Sequence, residues 1–404
     1  MKELVKEGIK MVLTEKQQKG LELAVKRFYE NKPYTIISGY AGSGKTTLVK
    51  FIIAALELNP EDDVAYVAYT GKAANVLSRK GNPNATTAHK LLYNAKPTAS
   101  GKFIFTPKDI LDKDYKLIIV DEVSMLPLKM WNLLLRYRVP VIACGDPGQL
   151  PPIDKDTDNH LLDEPHIFLD EIMRQAAESE IIQLSMHIRN GQSTSTFEAQ
   201  NAQVQIIEKQ DIVFGMYDWA NQILCATNKT RNDINMAIRK NKYQSLEPQE
   251  GDKVICMRNE WETLSTSYSP LTNGTTGFLK NIRKSSLKLP YYISQTNIDI
   301  IYADIETECE GTFKDIMIDY KALTTGEKAL NPRQEFQMNR SSKLPDAPLE
   351  FAYGYAITCH KAQGSEWDNI LVLEENFPFD KEEHKRWLYT ACTRASSKIV
   401  VVKK

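Results

Sequence analysis

Eight residues constrain this chain more than any others. From Tyr34 the sequence runs Y-T-I-I-S-G-Y-A-G-S-G-K-T-T-L-V-K, so that an apolar, β-branched run (Thr35, Ile36, Ile37) enters G-Y-A-G-S-G-K-T at 39–46 and an amphipathic run follows. Strand, glycine loop and helix in that order are the context in which G-x-x-x-x-G-K-[ST] carries a mechanism. Glycines let backbone N–H groups turn inward around phosphate oxygens. The helix opening at Gly44 and Lys45 adds the positive end of its dipole. Gly42, Ser43, Gly44 and Thr47 then line the cradle, Lys45 can reach the β- and γ-phosphates, and the Thr46 hydroxyl can ligate Mg²⁺. The bland alternative is a glycine-rich turn carrying a surface lysine.

A chain of 404 residues has room for two to three domains, each burying its own core. The formal net charge of −1 advertises neither nucleic acid nor membrane, so any nucleic-acid groove must be a local patch. The six cysteines (Cys144, Cys225, Cys256, Cys309, Cys359, Cys392) are dispersed without a C-x-x-C pair, which points to a reduced, intracellular and cytoplasmic protein without a zinc site. The opening M-K-E-L-V-K-E-G-I-K is too charged for a signal peptide, and no apolar stretch approaches the length of a membrane span.

Ahead of the loop, L-T-E-K-Q at 13–17 precedes a helical pattern (Leu21, Val25, Phe28), with Thr14 as a candidate N-cap. Capping is indifferent to Gln17. Its amide can pair with the donor and acceptor of an adenine edge, and spacing alone leaves the two readings level. After the loop helix, buried strands are expected at 64–69 (V-A-Y-V-A-Y), 117–120 (L-I-I-V) and 139–144 (V-P-V-I-A-C). Each ends in polar residues: Thr70-Gly-Lys72, Asp121-Glu122, and Gly145-Asp-Pro-Gly-Gln149. An Asp-Glu pair after a strand is ordinarily a solvated turn. Beside a phosphate loop, Asp121 stands where Mg²⁺ needs support, and Glu122 can orient or deprotonate an attacking water. The repeated strand–loop–helix alternation implies a parallel, doubly wound sheet with ligands at the carboxyl ends of its strands.

T-T-A-H at 86–89 opens another short helix, and turn formers around Gly101 flanked by strand-like residues predict a small hairpin. Further on, buried strands are expected at 222–227, 349–353, 369–373 and 398–402, with helices at 229–240 and 382–394. Residues from about 245 to 345 break this rhythm, alternating with period two around turns such as Thr272-Asn-Gly274, which predicts a small β insert in a second α/β domain.

Taken together, these segments resemble superfamily 1 DNA helicases, and within them the RecD-like 5′→3′ branch. Motif order and spacing carry the resemblance over nearly the whole chain. L-T-E-K-Q looks like the family's adenine-reading motif, which favours that role for Gln17. Y-T-G-K-A-A (Thr70, Lys72) and A-T-T-A-H-K (Thr87, His89) resemble motifs that lie along single-stranded DNA. D-E-V-S-M is the Mg²⁺ and base motif, and G-D-P-G-Q-L-P-P places Gln149 as a γ-phosphate sensor. L-D-E-I-M-R-Q puts Arg174 where the family has its first γ-phosphate arginine. I-T-C-H-K-A-Q-G-S-E-W-D links DNA (Thr358, His360, Lys361) to nucleotide (Gln363, Gly364, Glu366), and L-Y-T-A-C-T-R-A makes Arg394 the second arginine finger.

The resemblance implies an α/β fold of two RecA-like parallel-sheet P-loop domains with a hairpin insert and an SH3-like β insert. RecA-like domain 1A spans 1–85 and 112–172, the pin-bearing insert 86–111, RecA-like domain 2A 173–244 and 346–404, and the SH3-like insert 245–345. It further implies a monomeric ATP-dependent helicase of replication, repair or recombination, of phage type. Its cofactors are ATP and Mg²⁺, and its partners are single-stranded and forked duplex DNA, with a single-strand-binding protein as a candidate. Phe103, just beyond the hairpin turn, would stack on the last base pair at the fork; the alternative is that Phe103 or Phe105 packs the hairpin onto its domain. One rival is a phosphotransferase with a small acceptor, which leaves the second lobe and both arginines unexplained. The other is a DNA-stimulated ATPase subunit of a repair or nuclease complex that does not itself unwind. Lys45→Ala should abolish hydrolysis and leave circular dichroism and melting unchanged, because it removes only a charge aimed at phosphates from an exposed loop. Near-normal ATPase in that variant would overturn the phosphate-loop reading.

Overall fold

The computed structural model describes residues 3–6, 9–97, 103–151, 159–245, 247–267, 269–293, 297–308, 310–339 and 344–404, and describes only the backbone at 3–6, 9–12, 97, 103, 174, 175 and 261. The chain forms two compact units. The first holds residues 1–94, 105–213 and 363–404, and the second 95–104 and 214–362.

In the first unit six parallel strands form one sheet, in the order Ile167–Leu169, Tyr34–Gly39, Val141–Gly145, Leu117–Val120, Val64–Ala68, Thr86–Thr87. The sequence made this sheet legible because strands covered on both faces are apolar throughout rather than alternating. Successive residues then part company. Ile37, Ile119 and Ile142 pack under the helices Glu15–Tyr29 and Lys45–Ala55 with Leu21, Leu48 and Ile52, while Ile36, Ile118 and Val141 meet Trp131 and Leu134 of the helix Leu128–Arg136 on the other face. The predicted turns at 39–46, 70–72, 121–122 and 145–149 each follow a strand of this sheet at its carboxyl end.

The hairpin expected within 86–111 is the strand pair Tyr93–Pro97 and Phe103–Pro107. Its base is anchored by Tyr137, whose hydroxyl donates to the Lys108 carbonyl at 2.6 Å, and by Lys108 N–H on the Leu92 carbonyl at 2.9 Å. The side chain of Phe103, proposed for the fork, lies outside the described residues.

The strands of the second RecA-like element are divided between the units. Val204–Ile207, Ala395–Val402 and Trp367–Leu373 run parallel in the first, and Gln222–Cys225 and Ala356–Thr358 run parallel in the second. The predicted helices appear as Asn228–Tyr243 and Lys381–Cys392, so Arg394 lies just past its helix rather than on it. The second unit also carries five antiparallel strands, in the order Thr312–Asp319, Ile298–Glu306, Thr276–Leu287, Lys253–Cys256, Phe351–Tyr353. The expected strand near 349–353 therefore belongs to this antiparallel sheet. The short Ala356–Thr358 run supplies the parallel strand instead.

The helix Asn228–Tyr243 is tied to the antiparallel sheet by a wholly buried ion pair. Arg239 meets Asp252 between the rings of Tyr243 and Tyr353, 4.2 and 4.9 Å from its guanidinium, while Tyr355 donates to the same carboxylate at 2.7 Å. Removing one partner of such a pair strands the other's charge. Asp252→Ala should therefore cost about 3–5 kcal/mol of unfolding free energy, read from the urea midpoint of the second unit's transition. A loss within the error of the midpoint would show the pair to be dispensable.

Candidate nucleotide site

The loop between the strand Tyr34–Gly39 and the helix Lys45–Ala55 turns through the left-handed region at Gly44, with φ +82°. A Cβ there would sit 2.5 Å from the Gln17 amide nitrogen, so glycine is needed for both conformation and space. Gln17 is itself buried. Its Oε1 accepts from Thr14 N–H at 3.1 Å, completing a capping box, and its Nε2 donates to the Ser43 carbonyl at 3.1 Å and to Met173 Sδ at 3.0 Å. The amide assigned to adenine is thus engaged by the protein, holding the first helix against the loop. Lys45 Nζ donates to the carbonyls of Gly39 at 2.6 Å and Tyr40 at 3.1 Å.

Around the loop lies a cleft of about 750 Å³, all within the first unit. Of the residues predicted from sequence, Gly42, Gly44, Lys45, Thr46, Thr47, Asp121, Glu122, Gln149, Gly364, Glu366 and Arg394 line it. Asp121 accepts from Glu122 N–H at 3.1 Å, and Glu122 stands in the left-handed region at φ 49°. Burial raises the Glu122 carboxyl above its ordinary range, and the neighbouring Asp121 charge adds to this against the pull of Arg394. The Arg394 guanidinium, itself buried, lies 3.4 Å from Glu122 Oε1 and also donates to the carbonyls of Ser365 at 3.3 Å and Thr390 at 3.1 Å. Gly364 (φ +73°) passes so close that a Cβ would lie 3.1 Å from Glu122 Oε2.

Other expectations fall differently. Gln363 donates to the Leu150 carbonyl instead of lining the cleft, and Glu366 is paired with Lys80 at 2.7 Å. The Arg174 backbone opens the short helix Arg174–Ala177, and its side chain lies outside the described residues. Thr70 and Thr87 cap helices by accepting from the N–H groups of Ala73 and Lys90, both at 3.2 Å. Lys72 Nζ lies 5.3 Å from the Trp367 ring centroid. His89 is buried between Tyr69 and Tyr93, and burial lowers its pKa to about 4, so the ring is neutral at working pH. In the second unit, Thr358 and His360 are largely buried and Lys361 donates to Asn273.

Sequence reasoning passed over Tyr40, Lys80, Asp146 and Tyr389. Lys80 lines the cleft, and the Tyr40 ring carries the Arg189 guanidinium 4.0 Å above it. Tyr40 gave a signal as an aromatic inside a glycine loop, and Asp146 and Tyr389 as members of G-D-P-G-Q-L-P-P and L-Y-T-A-C-T-R-A.

A phosphate loop at the carboxyl end of a parallel sheet, a paired Asp-Glu beside it and a buried arginine delivered from the C-terminal segment define a RecA-like P-loop nucleotide-binding protein. An AAA domain model matches residues 13–211, and a UvrD-like helicase C-terminal domain model matches residues 353–402. The chain is 26% identical to the ATP-dependent DNA helicase dda of Enterobacteria phage T4, over 95% of this chain and 97% of that one. It is 25% identical to the ATP-dependent RecD2 DNA helicase of Deinococcus radiodurans, over 89% of this chain but only 45% of that longer relative. A Pif1 helicase from Bacteroides, solved with ADP-AlF3 and ssDNA, superposes with TM-score 0.48 at 19% identity, covering 97% of this chain and 92% of that one. The chain is thus similar along most of its length to proteins named as ATP-dependent DNA helicases.

Glu122→Gln should keep nucleotide affinity and lose most turnover, since a neutral amide cannot take a proton from water. In the unsubstituted chain, the raised Glu122 pKa means the base is protonated first as pH falls, so the acid limb of kcat should lie above the ordinary carboxylate range. An acid limb at or below that range would assign the base elsewhere.

Proposed function

We propose that this chain is an ATP-dependent DNA helicase that moves 5′→3′ on single-stranded DNA and separates duplex strands, driven by hydrolysis of Mg-ATP. The observation that carries the reading is the Arg394–Glu122 pair. It brings a charge from the segment matching a helicase C-terminal domain to the carboxylate best placed to prepare water. A small-acceptor phosphotransferase gives no reason for that pair. The end-to-end similarity to a phage protein named as an ATP-dependent DNA helicase supports the same activity here.

The residues present fit Mg-ATP. Gly44 clears the space a side chain would fill, the buried Ser43 hydroxyl has no hydrogen-bond partner among the described residues, and Thr46 and Asp121 offer the hard oxygen donors that Mg²⁺ prefers. Bound there, Mg²⁺ would neutralise charge developing on the phosphates. Lys45 exchanges the Gly39 and Tyr40 carbonyls for phosphate oxygens. Gln149 and Glu122 orient water, and Glu122 takes its proton. Arg394, with Arg174 from the helix Arg174–Ala177, meets transition-state charge, a role worth ~10³–10⁵ in rate where measured. Gln17 reads adenine by releasing Thr14 and Ser43, while Gln363 and Glu366 carry the nucleotide state toward the strand-binding motifs.

On the DNA side we assign Thr70, Lys72, Thr87, Thr358, His360 and Lys361 to the strand, with His89 supporting Thr87 as packing rather than charge. Phosphate contacts by the two lysines make binding salt-sensitive. Phe103 on the hairpin meets the last base pair, where stacking is worth ~1–3 kcal/mol per base. The antiparallel sheet of the second unit takes the place of the SH3-like insert. The enzyme works as a monomer in the cytoplasm, alongside a single-strand-binding protein. Among the described residues no helix is long and apolar enough to cross a membrane.

Single-stranded DNA should raise the ATPase, and a duplex with a 5′ tail should be unwound faster than one with a 3′ tail. Indifference of the ATPase to polynucleotide would remove DNA from the mechanism. The opposite tail preference would reverse the polarity and leave the ATPase standing.

A further inference from the structure

Tyr389 takes no part in the site as read from the sequence, where it looks like one more core residue of the helix Lys381–Cys392. It is 2% exposed, yet its hydroxyl lies at a junction of three segments. It accepts from the Ala41 N–H of the phosphate loop at 2.8 Å and donates to Asp146 Oδ2 at 2.7 Å. The other oxygen of Asp146 accepts from Gly148 N–H at 2.9 Å, one residue before Gln149. The ring fits closely too, since a Cβ on Gly148 would lie 3.1 Å from Tyr389 Cε1. Next along the helix, Thr390 Oγ1 accepts from Leu150 N–H at 2.8 Å, and the Thr390 carbonyl accepts from Arg394 Nε at 3.1 Å. Burial, reinforced by the Asp146 charge, raises the Tyr389 phenol well above its ordinary value, so it remains a neutral donor across the working range.

The geometry points to Tyr389 as a positioning residue for hydrolysis: one hydroxyl sets the phosphate loop, the Asp146–Gln149 turn and the helix end that delivers Arg394 in a single relative arrangement. The inference rests on the proposed ATPase. A chain of N–H to hydroxyl to carboxylate is directional and leaves little slack. The Ala41 amide cannot rotate without losing its acceptor, and the turn bearing Gln149 cannot shift without losing its donor. Gln149 and Arg394, 245 residues apart in the chain, are therefore held to one template through adjacent residues of one helix.

Tyr389→Phe keeps the ring and deletes both hydrogen bonds. We expect kcat for DNA-stimulated ATP hydrolysis to fall about ten- to a hundredfold, the scale at which misplacement of about 1 Å acts. KM for ATP should stay within about threefold and the melting temperature within a few degrees, because the binding elements of the loop and the packing of the helix are untouched. Tyr389→Phe combined with Asp146→Asn should be little worse than the poorer single variant, since both act on one bond. Unchanged kcat in Tyr389→Phe, or a parallel fall of kcat, ATP affinity and melting temperature, or full additivity of the two changes, would each overturn the assignment. Absence of DNA-stimulated hydrolysis in the unsubstituted chain would instead sink the proposed function itself, so the two failures are distinct.

Discussion

The nucleotide site depends on one backbone constraint: the chain must pass through the left-handed region at Gly44 directly beneath the Gln17 amide. Only there do the strand Tyr34–Gly39 and the helix Lys45–Ala55 meet with the loop carbonyls turned toward Lys45. Gln17 then does two jobs with one side chain, closing the cap of its own helix and holding the Ser43 carbonyl. The first helix, the loop and the sheet are thus fixed by one glycine and one amide, and the surrounding apolar packing of Leu21, Leu48 and Ile167 keeps them in register.

Charge is distributed on the same frame so that the two carboxylates beside the loop are opposed by a buried arginine. Asp121 and Glu122 share the end of one strand, where burial and mutual repulsion would push a proton onto Glu122, and Arg394 opposes this from a position 272 residues away. Such a site is balanced rather than saturated. In the proposed mechanism, small movements of the arginine would change both the proton affinity of Glu122 and the charge offered to a phosphate, tying hydrolysis to the geometry of the C-terminal segment.

The parallel sheet, its phosphate loop and the polar ends of its strands were legible because runs such as L-I-I-V before Asp121-Glu122 combine a buried-strand pattern with chemistry at a fixed place. The hairpin was legible from its turn residues. Less visible were features made by residues remote in sequence. Phe351–Tyr353 reads like any buried strand, and nothing local tells it to pair antiparallel with Lys253–Cys256. Ala356–Thr358 is too short to register as a strand. Gln17 was recognised as special but not as a cap, although T-E-K-Q has the spacing of a capping box; only its contact with Ser43, across the fold, had no local signal. Lys80 and Tyr389 look like an exposed helix end and a core aromatic, and only tertiary contact gives them polar partners in or beside the cleft.

Lys361 carries a consequence of a different kind. Its ammonium leans on Asn273 in a half-buried setting near Arg231, and burial lowers its pKa to about 8. Near that pH a substantial fraction of the molecules holds a neutral amine at this position. An anionic phosphate arriving there favours the charged form and draws a proton from the buffer. On the proposed assignment of Lys361 to the strand, capture would be proton-linked as well as counterion-linked, and its apparent heat would carry the ionisation enthalpy of whichever buffer supplies the proton.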